Sequence, residues 1–271
     1  MIALRWEWVA VGYYVYLLIV ALVGRRFLKA RIAVLAGTVV CCAVLGALSS
    51  PRLGLSMDAL TIAIVVPTAV LLGGYWLSGL FFVSPMQRVE QWLMALDERL
   101  LRRPGILTAY QTSPRIVREF FEMAYVLVYA VIPAAVATLA IGGHRDAIPR
   151  FWTIVLLAEF SAYGMMPWLQ TRSPRVLERS AGLIHPPSAL RRFNAKILER
   201  GSIQVNTLRS GHAAGAVATA LAVADAMPFA GFIFLTLAAS IVAATVLGRY
   251  HYLVDSLLGI VMAAGAWYLC R

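Results

Sequence analysis

The chain is a succession of apolar runs, each about as long as a membrane is thick, separated by short basic gaps; no other feature constrains its fold as strongly. Roughly 20 predominantly apolar residues are needed to cross a bilayer as a helix. Eight candidate runs lie at about Trp8 to Val23, Ile32 to Ser49, Ala59 to Val83, Phe120 to Ile141, Phe151 to Trp168, Ala213 to Met227, Phe229 to Leu247 and Tyr252 to Cys270. Of the 271 residues 61% are hydrophobic and only 14% charged, whereas a soluble domain carries about 25% charged residues. The expected fold is therefore all-α: a polytopic membrane helical bundle of about eight transmembrane helices.

Two intervening stretches read as helices lying on the membrane surface. The first, "SPMQRVEQWLMALDERLLRRPG", opens with Ser84 as cap, Pro85 at the first helical position and Gln87 completing a capping box. It places Met86, Val89, Trp92, Leu93, Leu96 and Leu100 on one face before Pro104. The second runs from Ser188 to Arg200, with Leu190, Phe193, Ile197 and Leu198 apolar and Gly201 as its stop. The chain thus divides into three spans over 1–83, an interfacial segment over 84–118, and the remaining spans over 119–271 with an interfacial helix near 188–200. Tryptophans near span ends, Trp152 among them, read as interfacial anchors. The first run lacks the basic flank and cleavage site of a signal peptide and reads as a retained helix.

The net charge of +11 sits in the gaps between spans rather than on a basic module, which argues against nucleic acid as a partner. Assigning the gaps to alternating sides puts 19 of the 24 Lys and Arg on one side and five on the other. The basic side is predicted to be cytoplasmic, with both termini outside. Cys41, Cys42 and Cys270 form neither a disulfide framework nor a zinc pattern.

Chemistry is concentrated in "LRSGHAAG" and "GRYHYLVD". His212 and His251 are 39 positions apart, about two spans and a tight turn, so a hairpin of the sixth and seventh helices brings both to the basic face. His251 and Asp255 stand four apart, neighbours on one face of a helix. A carboxylate on one imidazole nitrogen fixes the tautomer and leaves the other free as nucleophile or base. Ser210 and Gly211 begin the sixth span, where backbone N–H groups and the helix dipole favour an anion.

Arg209 and Arg249 beside the histidines are natural forks for phosphate oxygens, or simply charges of the basic face. Arg172, Arg175, Arg191 and Arg192 are further candidates on that side, the last two also suiting lipid headgroups. Glu159, in the middle of the fifth span, is either a functional intramembrane carboxyl or a buried one bonded to a neighbouring helix. A metal site at His251 and Asp255 lacks a third ligand. His144 and His185 read as solvated.

Arg209-Ser210-Gly211-His212 resembles the PSGH motif, and His251 to Asp255 the closing His-x-x-x-Asp motif, of the type-2 phosphatidic acid phosphatase (PAP2) superfamily of membrane lipid phosphatases and phosphotransferases, which is structurally related to vanadium haloperoxidases. The "TVLGRYHYLVD" context is similar to its bacterial branch, related to inositol phosphorylceramide synthases. The resemblance implies a six-helix core and a metal-free, cofactor-free reaction at the inner membrane of a bacterium. In that reaction His251 attacks phosphorus to form a phosphohistidine, Asp255 orients it, and His212 protonates the leaving alcohol. The family's first motif, a lysine followed by six residues and Arg-Pro, matches "LQTRSPR" at Arg172, with Met165 at the lysine position and Ser173 at the proline. Arg209 replaces the proline of PSGH, and Thr245 falls where the third motif's arginine is expected. The implied substrate is a lipid phosphate. The alternatives are headgroup transfer to an alcohol acceptor and a non-catalytic lipid-binding or lipid-transporting protein on a degenerate fold.

Overall fold

The computed structural model describes residues 5–24, 28–48, 59–178, 187–203 and 208–271. Of these described residues 81% are helical, and none forms a strand. All eight apolar runs fold as helices: α1 (Trp6–Val23), α2 (Leu28–Leu48), α3 (Ala59–Gly79), α6 (Arg115–Ile141), α7 (Ile148–Tyr163), α10 (Gly211–Ala226), α11 (Pro228–Leu247) and α12 (Leu253–Leu269). Among the described residues, four of these, α1, α3 over Thr61–Gly79, α6 and α11, are long and apolar enough to cross a membrane. Between them lie α4 (Gln87–Asp97), which continues as a π turn over Glu98–Arg102, the short α5 (Ile106–Thr112) and α8 (Pro174–Leu177), and α9 (Ala189–Gly201).

At the centre is α10, packed against α6, α7, α11 and α12. Its sequence explains this place, since Ala213, Ala214, Gly215, Ala216, Ala218 and Ala220 are all buried, and small residues let helix backbones approach closely in a membrane. Gly231 of α11 meets Ala224 so tightly that a Cβ there would overlap it. Pro228 ends α10 and opens α11, making the hairpin turn. The first three helices join this core chiefly through α7: Tyr13 stacks on Phe160 at 4.0 Å, and Trp152 Nε1 donates to the Ala63 carbonyl at 2.7 Å. Trp152 is thus a buried tie between helices, not an interfacial anchor.

The structure departs from expectation in three places. Helix α7 ends at Tyr163 rather than running to Trp168, because the chain turns at Gly164, whose carbonyl accepts from Tyr16 Oη at 2.6 Å. The capping box at Ser84 is absent, and α4 starts at Gln87 with no side-chain cap. Instead Gln170 holds the approach to α4, its Oε1 accepting from the amides of Val83 and Ser84 at 2.8 and 3.2 Å. On α9, Ser188 caps the Arg191 amide as a start signal should, but Asn194 is buried while Phe193 is half exposed.

One end of the bundle carries the end of α7, the starts of α10 and α12, and helices α4, α8 and α9. The opposite end is tied by Asp225 of α10, which accepts from Arg150 of α7 at 2.7 Å and from Trp267 of α12 at 2.9 Å.

Candidate active site

The site is built where α10 begins and the α11–α12 turn folds back on it. After Leu247 the chain turns through Gly248 and Arg249, and the Thr245 carbonyl accepts from the amides of Tyr250 and His251 at 2.9 and 3.0 Å. Thr245, at the position where the family resemblance expects an arginine, is buried and paired with Ser256 Oγ at 3.0 Å. His251 lies in this turn, before the first residue of α12, and not on the helix that the four-residue spacing to Asp255 suggests. Asp255 reaches back as the third helical residue, its Oδ2 accepting from the Tyr252 amide at 3.2 Å and standing 3.7 Å from His251 Nδ1. That second distance is longer than a hydrogen bond. Nδ1 is buried with no partner among the described residues, so Asp255 is the acceptor within reach of a small ring movement.

The start of α10 is fixed to the same place. The Ser210 amide donates to the Asp255 carbonyl at 2.9 Å, and Ser210 Oγ caps the Ala213 amide at 3.2 Å. Gly259 of α12 passes so close to the Ser210 carbonyl and Ala213 that a Cβ would stand 2.6 and 2.9 Å from them. Ser210 is therefore a cap and an anchor, and the amides of Gly211 and His212 form the positive end of the helix. The result is that His251 Nε2 and His212 Nδ1 come within 3.4 Å. On its other side His212 Nε2 stands 3.4 Å from Tyr125 Oη, and the two rings stack at 5.3 Å.

These groups open on a pocket of about 70 Å³, more than a single water requires. His212 and His251 line it with Arg175 and Arg209 as its cations; Tyr75, Tyr125, Tyr163 and Tyr250 form much of its wall. Burial disfavours the imidazolium and pushes His251 down from its ordinary 6.5 to about 4, so it is neutral near pH 7.

The arginines divide sharply. Arg209 donates to the Ser161 carbonyl at 3.1 Å while lining the pocket. Arg175 lies 5.2 Å above the Tyr250 ring, also lining it. The others lie outside. Arg172 is held by both oxygens of Glu90 at 3.0 and 2.8 Å, an arrangement that lowers the Glu90 carboxyl below its usual range. Arg249 is buried against Asp97 and Glu178. Arg191 pairs with Glu122 and donates to the Gly248 carbonyl at 3.1 Å. Arg192, exposed, donates to the Pro187 carbonyl at 2.7 Å. Ser173 lines the pocket, whereas Met165 does not. His185 falls outside the described residues.

Glu159 lies directly under the floor. It shares a hydrogen bond with Tyr163, and the absent side chains of Gly211 and Gly215 make its room: a Cβ at Gly215 would overlap its Oε1, and one at Gly211 would stand 2.9 Å from Oε2. The GxxxG spacing therefore serves a carboxyl as well as helix packing. Glu122, at the start of the fourth apolar run among the arginines of the basic side, pairs with Arg191 and also accepts from Tyr250 Oη and Asn194 Nδ2, each at 2.7 Å; sequence reasoning missed the tyrosine wall. It also missed Glu90 and Asp97. The available signal was the seven-residue spacing of these two, which with Leu93 makes a buried stripe on α4.

A family profile described as the PAP2 superfamily matches residues 91–269, a span that holds every group lining the pocket except Tyr75. Neither the curated proteins nor the solved structures include a match to the chain.

Proposed function

The chain belongs to the PAP2 superfamily, and on that footing we propose that it is a membrane lipid phosphatase that releases phosphate from a lipid phosphate through a phosphohistidine on His251. The observation that carries this reading is the 3.4 Å approach of His251 Nε2 to His212 Nδ1 in a pocket whose cations are Arg175 and Arg209. A phosphoryl group entering the pocket displaces that contact and sits between the two imidazoles. Arg175, Arg209 and the first amides of α10 neutralise its oxygens. Neutral His251 attacks through Nε2, its Nδ1 proton turning to Asp255, as the N–P bond forms and the P–O bond to the lipid breaks. His212 gives its proton to the departing alcohol, then takes one from the water that cleaves the N–P bond. In this reading the chemistry needs no metal.

The exposed apolar side chains of α4 and its flanking turns, Met86, Trp92 and Leu100, suit a surface helix that sets the pocket at the depth of lipid headgroups. On this reading the charge bias supports a cytoplasmic position for this end in a bacterial inner membrane, with the six helices from α3 onward as the catalytic core of an eight-span bundle. A phosphotransferase of the inositol phosphorylceramide synthase kind uses the same residues, and it is favoured by the apolar and aromatic wall of Met166, Val176, Leu198, Ile203 and the tyrosines, where water competes poorly with an alcohol acceptor.

The test is to quench a reaction of the purified protein with a lipid phosphate in alkali, where phosphohistidine survives, and to map the peptide holding His251 by mass spectrometry. The expected result is one phosphoryl group on His251, absent from Asp255→Ala; modification elsewhere, or none with a turned-over substrate, overturns the covalent route.

A further inference from the structure

The turn that carries His251 contains a backbone that its sequence does not favour: Arg249 has φ 62°, and no other non-glycine residue among those described has a positive φ. A non-glycine residue in the left-handed region is strained and persists only where its surroundings impose it. Here they do. The guanidinium is 7% exposed, with Nη1 on Asp97 Oδ2 at 2.6 Å, Nη2 on Glu178 Oε1 at 2.9 Å and Nε on Glu178 Oε2 at 3.2 Å. The other oxygen of Asp97 accepts from the Leu253 amide at 3.1 Å. A single carboxylate on α4 thus grips the chain two residues before His251 and two residues after it. The Arg249 carbonyl adds a further tie, accepting from the Arg175 amide at 3.0 Å. Every guanidinium nitrogen is engaged away from the pocket, which Arg249 does not line.

We propose that Asp97 is a positioning residue for His251: from the interfacial helix it clamps Arg249 and Leu253, holding the strained turn that aims the imidazole at the pocket. Glu178 completes the clamp. The arrangement makes α4, which lies outside the transmembrane bundle, a working part of the site, and couples seating of that helix on the membrane to the geometry of the nucleophile. It assigns Arg249 to the backbone of the site and leaves phosphate to Arg175 and Arg209. The inference rests on reading His251 as the nucleophile, but its clearest readout does not need turnover.

The experiment compares Asp97→Asn, Arg249→Ala, Arg249→Gly and, as a control on the same helical segment, Glu98→Gln, whose pair with Arg102 is exposed. Each full-length protein is purified in detergent and treated with diethyl pyrocarbonate. The rate of carbethoxylation at His251 is followed by mass spectrometry beside kcat, KM and thermal unfolding. A displacement of about 1 Å costs on the order of 100-fold in rate. Asp97→Asn is therefore expected to lower kcat by roughly that factor at little change in KM, and to alter the His251 modification rate. Glu98→Gln should behave as wild type.

The order of the Arg249 variants separates positioning from phosphate binding. Glycine adopts φ 62° without strain, so Arg249→Gly retains more activity than Arg249→Ala. Equal losses in the two, carried by KM, would make Arg249 a phosphate ligand and overturn the proposal. An Asp97→Asn protein with wild-type kcat and wild-type His251 reactivity would overturn it as well. If the wild type turns over no lipid phosphate while Asp97→Asn still changes His251 reactivity, the phosphatase reading fails and the clamp stands.

Discussion

At the scale of single residues, the site's reactive groups lie in two short stretches and its supports do not. His212, His251 and Asp255 were legible because each sits in a local pattern whose spacing already brings them to one end of two helices. The roles of Arg172 and Arg249 were not, because what fixes them is a partner far along the chain: Glu90 for one, Asp97 and Glu178 for the other. An arginine next to a catalytic histidine looks the same in sequence whether it grips phosphate or a carboxylate. Burial of His251 has a consequence that can be measured. Its pKa falls from 6.5 to about 4 because the low-dielectric surroundings oppose the cation, so the reactive neutral form persists through the range where an ordinary histidine protonates. The pH profile of carbethoxylation at His251 is expected to have its midpoint near 4; a midpoint near 6.5 would mean that the imidazole is solvated. The linked effect on stability has the opposite sign: between pH 6.5 and 4 the unfolded chain gains a proton at this position that the folded one does not, so acidification over that window favours unfolding.

At the scale of elements, the apolar runs announced the helices well and their faces poorly. A run of apolar residues in a membrane protein must become a helix, which is why all eight were visible. Helix α4 shows what periodicity leaves out. Its apolar stripe was found, but that stripe is partly turned outward, with Trp92 and Leu100 about half exposed, while Glu90 and Asp97 are buried against the core. Facing outward costs an apolar side chain little where the surroundings are lipid, and the acids go inward because arginines await them. The pairing of α7 with α10 carries a second expectation. Gly215→Ala puts a methyl group where Glu159 already sits, and overpacking of this kind costs about 1–3 kcal/mol. Thermal unfolding should show that loss for Gly215→Ala and its recovery in the double variant with Glu159→Ala. Additive losses would mean that the two side chains do not contend for the same space.

At the scale of the whole molecule, the bundle is asymmetric: the pocket with His212 and His251, helices α4, α8 and α9 and most of the described arginines share one end, and the Arg150–Asp225–Trp267 tie closes the other. The orientation proposed from the charge bias puts the first end in the cytoplasm, and Ser188, the cap of α9, lies at that end. In a background free of Cys41, Cys42 and Cys270, Ser188→Cys is expected to resist a membrane-impermeant thiol reagent in intact cells and to react in inverted vesicles; the reverse pattern would turn the molecule over.

The central claim is that this asymmetric bundle brings a lipid phosphate to His251. Its most direct test is release of inorganic phosphate, in EDTA, from phosphatidate, phosphatidylglycerol phosphate, polyprenyl phosphates and diphosphates, and ceramide phosphate by the purified wild-type protein and by His251→Ala. The wild type should release phosphate from at least one of these while His251→Ala releases none. Silence of the wild type across the panel, or release that survives His251→Ala, would contradict the claim.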